Sequence, residues 1–224
     1  MKLLALETSS ERGSVALARG NVINERWIET PREQTNLVLP LVRELLEEAD
    51  LELTDLDGIT FGRGPGSFTG LRVAAAVTQG IGLSVGLPIL PISSLAALAW
   101  QAHHEHGLNR VLVCVDAHMG EVFWGTFGIK GGLVVPSSPE CLTKPEAVNW
   151  NGTSPWGAVG SGCETYSQSL APLFSKAERV LTGLRPRATD LFGQAQADLV
   201  AGRIQSAEQA IPSYLRDETA WQKA

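Results

Sequence analysis

Short apolar runs separated by glycine-marked turns set the pattern of this chain from its first residues. LLALET (3–8) is apolar and contains an acid, Glu7, near its end. GSVALARG (13–20) and NVINERWI (21–28) flank Gly20–Asn21, a two-residue hairpin signal, so the first thirty residues read as a three-strand meander. A helical spacing follows over 34–49, with Leu37, Val38, Leu41, Val42, Leu45 and Leu46 forming a broad apolar arc. Pro40 is expected near the first turn of that helix, where its missing N–H costs nothing. DLDGITFG (55–62) reads as a strand and RGPGSF (63–68) as a glycine-rich turn. A helix over 67–86, a strand at 88–93 and a helix at 94–107 closed by Gly107 complete the first half.

The pattern then restarts. RVLVCVDA (110–117) is an apolar run ending beside Asp116, GEVFWGTFGI (120–129) reads as the next strand, and Gly131–Gly132 is a second hairpin signal before LVV (133–135). Val115–Asp116 stands where Leu6–Glu7 stood. The second half continues with a strand running into a glycine-rich turn, AVGSG (158–162), and helices at 163–174 and 188–202. Two halves that each open as strand, acid, turn, strand, tight turn, strand are a duplication in architecture with little identity behind it. This predicts an α/β chain with the duplicated actin/hexokinase/heat-shock ATPase-like (ASKHA) fold. Its two lobes are expected at 1–108 and 109–224, with the tail 212–224 packing back on the first lobe.

Composition narrows the functional classes. The 224 residues are 44% hydrophobic and 19% charged, values that suit a folded chain rather than a disordered one. Lys plus Arg is 18 against 24 Asp plus Glu, a net charge of −6. An acidic chain lacks the cations that supply most nucleic-acid affinity, so RNA is expected to be met only alongside a more basic partner. Three cysteines with no CxxC spacing argue against a disulfide framework or a structural zinc site. The uncharged stretch 73–104 is interrupted by Gly80, Gly82, Gly86, Pro88 and Pro91, so it reads as a buried helix–strand–helix unit rather than a membrane span. MKLLALETSS lacks the long apolar segment of a signal peptide, and the protein is read as cytoplasmic.

The candidate chemistry is concentrated in a few segments. Gly62, Arg63, Gly64, Gly66 and Gly70 lie in FGRGPGSFTGLR (61–72), which is neither a P-loop nor a dinucleotide fingerprint. Backbone N–H groups at a helix start beside Arg63 and Arg72 suit an anion. Equally, glycines there suit a turn in which backbone packs on backbone. Glu7, Thr8 and Ser9 resemble the first phosphate loop of a kinase-like fold, where a carboxylate and hydroxyls hold hydrated Mg²⁺ and phosphate. The matching loop at Asp116 has Ala117 and Met119 where hydroxyls are wanted, so the pair reads as a vestigial nucleotide site. No catalytic residue, metal or cofactor is assigned, and the two-histidine metal spacings HxxxH and HExxH are absent. The helix at 67–86 is apolar or small on every face, which requires cover on every face. Leu37, Leu41, Leu45, Val73, Ala76, Val77, Gly80 and Ile81 are therefore candidates for a partner interface, the alternative being cover by the second lobe.

GRGPGSFTGLR (62–72), LLALETSS (3–10), DAHMGEVFW (116–124) and PSYLRDETAWQK (212–223) together resemble the TsaB family, formerly YeaZ, over essentially the whole chain. The family commonly has Asp-Thr-Ser where this chain has Glu7-Thr8-Ser9, and His-Ser-Gln-Arg-Leu-Leu-Pro where it has 34–40. The resemblance implies a noncatalytic scaffold acting with TsaD and TsaE in forming threonylcarbamoyladenosine at position 37 of tRNAs that read ANN codons. It implies a homodimer when alone, tRNA contact only through the complex, and pairing through the helices at 34–49 and 67–86. The competing reading is an ATP-dependent enzyme, a kinase or carbamoyl transferase, with its own nucleotide cleft. A peptidase, the older label of the wider family, finds no metal-ligand motif in its support.

Overall fold

The computed structural model describes residues 1–30 and 33–216. Strands β1 (Lys2–Glu7), β2 (Gly13–Arg19) and β3 (Val22–Ile28) form the meander, with Gly20 at φ 60° in the tight turn. Helix α1 (Gln34–Ala49) leads to β4 (Gly58–Gly62), α2 (Phe68–Val85), β5 (Ile89–Ile92) and α3 (Ser94–His106). The second set comprises β6 (Arg110–Asp116), β7 (Val122–Lys130), β8 (Leu133–Pro136), β9 (Cys141–Thr143), β10 (Gly157–Val159), α4 (Ser161–Thr165), α5 (Ser167–Phe174), β11 (Arg179–Leu181) and α6 (Phe192–Val200).

The two sheets share one plan. The first has order β3-β2-β1-β4-β5, antiparallel across the meander and parallel from β1 to β4 and β5. The second has order β8-β7-β6-β10-β11 with the same directions, plus β9 on β7. Glu7 and Asp116 close the central strands β1 and β6 at equivalent places, opposite Ser14 and Val122. This is the duplicated ASKHA fold that the repeating pattern predicted.

Strand periodicity explains the first core. Leu4 and Leu6 point to one face of β1 and pack with Val38, Val42 and Leu45 of α1 and Ala74 and Ala75 of α2. Leu3 and Ala5 point to the other face and pack with Ala188, Leu191, Phe192 and Ala195. A strand covered on both faces must be apolar at every position, as LLAL is. In the second sheet, Leu112 and Cys114 of β6 join Trp124, Trp156, Ala158, Cys163 and Leu170.

The structure corrects several expectations. The chain divides into 1–97 with 186–212, and 98–185 with 213–216, rather than at one cut near 108. Residues 186–212 complete the first unit because they cover the second face of its sheet; Ala188 N–H donates to Ser14 Oγ at 2.8 Å. Residues 213–216 belong to the second unit, not the first, and 217–224 lie outside the described residues. Pro40 is the seventh residue of α1, past its first turn. It is exposed, so water can hydrate the carbonyl its ring leaves unbonded. The helix expected at 163–174 is split into α4 and α5 at Tyr166, and the one at 188–202 opens with a 3₁₀ turn, Ala188–Leu191.

Candidate functional site: two acidic loops and an open helix face

In the first unit, the glycine-rich turn is wrapped around the loop that follows β1. Thr8 Oγ donates to the Gly70 carbonyl at 2.7 Å, and Ser67 N–H donates to the Ser9 carbonyl at 2.7 Å. A Cβ at Gly62 would lie 1.9 Å from Glu7 Oε2, at Gly66 2.3 Å from the Ser9 carbonyl oxygen, and at Gly70 1.8 Å from the Thr8 carbonyl oxygen. At Gly66 and Gly70 the obstacle is backbone, so close approach of the turn to the loop after β1 requires glycine, and at Gly62 the obstacle is the buried Glu7 carboxylate. This supports the second of the two readings the sequence left open. Arg63 and Gly64 join in through their backbones, Arg63 N–H to the Ile92 carbonyl and the Gly64 carbonyl from Ser94 N–H. Ser67 caps α2, accepting from Gly70 N–H.

Glu7 is fully buried in this arrangement. Its Oε1 accepts from Ser9 N–H at 2.7 Å and its Oε2 from the Ser94 hydroxyl at 2.9 Å. Burial pushes its carboxyl above the ordinary carboxylate range, and the hydrogen bonds from Ser9, Ser94 and the Thr8 backbone oppose that rise. Both oxygens are engaged by the protein, and Thr8 and Ser9 are buried with it. Ser94 was not among the sequence-predicted residues; its place directly after β5 is a signal only once β4 and β5 are known to be neighbours. Gln34 was also missed. It is buried at the start of α1 and donates to the Ser10 and Glu11 carbonyls at 3.4 and 3.2 Å, tying that helix to the same loop.

The second acidic loop is differently furnished. Asp116 Oδ1 accepts from His118 N–H at 2.8 Å and from the Tyr166 hydroxyl at 3.0 Å; Oδ2 accepts from Thr165 Oγ at 3.5 Å. Asp116 N–H donates to Ser161 Oγ at 3.0 Å. The hydroxyls missing at 117 and 119 are therefore supplied by α4 and Tyr166, which the sequence reading did not single out. Burial first, and the Asp116 carboxylate second, raise the Tyr166 phenol above its ordinary value. His118, Met119 and Gly120 all take left-handed backbone, at φ 59°, 57° and 78°. No group of three or more His, Cys, Asp or Glu arranged to hold a metal ion occurs among the described residues.

The third feature is a face of the first unit formed by α1 and α2. Ala76 and Gly80 are exposed one turn apart on α2, with Arg72 a turn before them and Leu83, 60% exposed, a turn beyond. Val73 and Val77 flank them half-buried. On α1, Leu39 is 55% exposed. Leu37 and Leu41 are half-buried and, two residues from Leu39 on either side, lie on the opposite flank of the helix. They share the row of Glu44 and Glu48 that meets Arg26 of β3, so they are not part of this face. Thr35, Phe68, Thr69, Arg72, Val73, Ala76 and Val77 line a shallow groove here, with the Arg72 guanidinium 3.7 Å over the Phe68 ring. Two further expected members are elsewhere. Leu45 and Ile81 are 0% and 7% exposed and belong to the core beneath, because a wide apolar arc supplies both the inward and the outward rows.

A family model described as TsaD: tRNA N6-adenosine threonylcarbamoyltransferase matches residues 29–224. The chain is 34% identical to the tRNA threonylcarbamoyladenosine biosynthesis protein TsaB of Escherichia coli strain K12, over 100% of this chain and 98% of that one. It is 35% identical to the protein of the same name from Haemophilus influenzae, over 100% and 97%. Among solved structures, YeaZ from Pseudomonas aeruginosa superposes with a TM-score of 0.87 at 36% identity, covering 96% of this chain and 99% of that one.

Proposed function

This chain belongs to the TsaB (YeaZ) family, and we propose that it is a noncatalytic partner subunit, acting in the cytoplasm with TsaD and TsaE to form threonylcarbamoyladenosine at position 37 of tRNAs reading ANN codons. The relatives' names carry the pathway. The observation that supports a partner's role is the apolar face of α1 and α2. Leu39 on α1 and Leu83 on α2, both more than half exposed, accompany two small exposed residues one turn apart, Ala76 and Gly80, which keep α2 thin enough there for another helix to approach. Each large side chain covered there is worth roughly 1.5–3 kcal/mol when fully buried. A face of this kind left in water is an association surface.

The same face is proposed to serve a homodimer when the protein is alone and TsaD when it is present, so the two assemblies compete. Support for the lack of catalysis comes from the acids. Both Glu7 oxygens are taken up by Ser9 and Ser94 within a fully buried loop, and Asp116 is engaged by His118, Thr165 and Tyr166. No helix among the described residues is long and apolar enough to cross a membrane.

Ala76→Arg tests the reading. The long charge should abolish both associations while circular dichroism stays that of the parent; light scattering reads the dimer and a TsaD pull-down reads the heterodimer. A folded variant that dimerises and binds TsaD like the parent sinks the proposed surface. Steady-state ATP hydrolysis by the purified parent, lost in Asp116→Ala, would instead establish the enzyme reading.

A further inference from the structure

The tail motif around Arg216 is not used by the proposed function, yet its side chain is 92% covered at the second acidic loop. One Nη of Arg216 lies 2.8 Å from Glu121 Oε2 and donates to the Ala117 and His118 carbonyls at 3.0 and 3.4 Å. The other Nη faces Met119 Sδ. These contacts span the loop where His118 and Met119 hold left-handed backbone, which disfavours residues that carry a side chain. Left-handed backbone persists only where surrounding groups over-determine it. Asp116 supplies one restraint, through His118 N–H. The guanidinium supplies the other: one Nη draws two successive carbonyls and a carboxylate together while the second reaches Met119, a span that a single ammonium does not cover.

We propose that Arg216 is a positioning residue, a clasp by which the C-terminal segment fixes the loop 117–121, so that tail and Asp116 loop open and close as one element. The coupling is reciprocal: loosening the tail loosens the loop, and loosening the loop frees the tail. Met119, 57% exposed, and the His118 side chain, 72% exposed, are then presented outward only while the clasp is closed.

Amide hydrogen exchange on the full chain tests the first direction. Ala117, His118 and Glu121 N–H groups are all hydrogen-bonded within the loop, to the Glu121 carbonyl, Asp116 Oδ1 and the His118 carbonyl. Arg216→Ala should speed their exchange tenfold or more while amides of β1 and α2 keep their rates. Arg216→Lys should recover only part of the protection, and adding Met119→Gly to Arg216→Ala should recover more, because glycine removes the left-handed cost. Limited trypsin digestion tests the reverse direction: Glu121→Ala should expose Arg216 and speed cleavage after it several-fold. Unchanged loop exchange in folded Arg216→Ala overturns the clasp, as does unchanged cleavage in Glu121→Ala. If Arg216→Ala does not fold, the lysine variant and the Glu121 variant decide on the same criteria.

Discussion

Gly70→Ala separates the two roles open to the glycine-rich turn. The added Cβ would lie 1.8 Å from the Thr8 carbonyl oxygen, and real Cβ contacts essentially never fall below 3.0 Å. The start of α2 must therefore move at least 1.2 Å from the loop after β1, the gap between those two distances. The obstacle is backbone, so no rotamer change relieves it. A shift of that size takes the 2.7 Å bond from Thr8 Oγ to the Gly70 carbonyl out of range and leaves a buried hydroxyl without that acceptor. Overpacking costs about 1–3 kcal/mol, and an unsatisfied buried polar group about 1–3 kcal/mol. The better helix propensity of alanine returns about 1 kcal/mol, so the net loss is about 1–5 kcal/mol against a typical total of about 5–15 kcal/mol. Gly80→Ala is the control, since nothing lies within 4 Å of its new methyl and α2 should gain about 0.5–1 kcal/mol. Urea unfolding followed by tryptophan fluorescence and circular dichroism measures both. If the glycines instead shaped an anion site, Gly70→Ala would keep the free protein's midpoint and lose phosphate binding. A midpoint within experimental scatter of the parent's refutes the packing account.

Glu7→Gln tests burial of the acid. Because burial raises the Glu7 pKa above 4.5, the native state holds this proton more tightly than the unfolded chain. Its stabilising effect is full below the unfolded value and is lost as pH rises through the native one, so the parent should lose stability relative to Glu7→Gln as pH climbs from 4 towards 8. Parallel urea midpoints of parent and variant across that range exclude it. Asp116→Asn should lower the Tyr166 pKa towards that of an ordinary phenol, read by ultraviolet absorbance during alkaline titration. Leu45→Ala should cost about 2–5 kcal/mol as a core truncation. Leu83→Ser should stay within about 0.5 kcal/mol in the monomer and weaken association, measured by denaturation and light scattering.

What the sequence made legible was everything that repeats locally. Unbroken apolar runs located β1 and β6, and Gly20–Asn21 and Gly131–Gly132 marked the hairpins because only a few residues tolerate their backbone. The restart at 110 revealed the duplication. Partners brought together by topology left no such mark: Ser94 is 87 residues from Glu7, Tyr166 is 50 from Asp116, and Ala188 N–H reaches Ser14 across 174. For the same reason the first unit's last segment, 186–212, was assigned to the wrong lobe, since adjacency in sequence says nothing about which sheet face still needs cover. The apolar arc of α1 identified a row of hydrophobic positions without telling Leu39, which faces solvent, from Leu45, which fills the core.

The two acids show how one duplicated frame reaches different chemical ends. Both close a central strand at the same register, so strand pattern alone predicts the same loop twice. Glu7 carries one more methylene than aspartate, and its carboxylate reaches under Gly62 to Ser94, where a closely packed glycine turn buries it completely. Asp116 has no comparably buried seat; its carboxylate is satisfied by Tyr166, Thr165 and its own following backbone, at 19% exposure. The first loop is thus held by backbone packing and the second by side-chain hydrogen bonds. That difference predicts where each breaks: the first when a methyl is added to a glycine, the second when a hydroxyl or a guanidinium is removed.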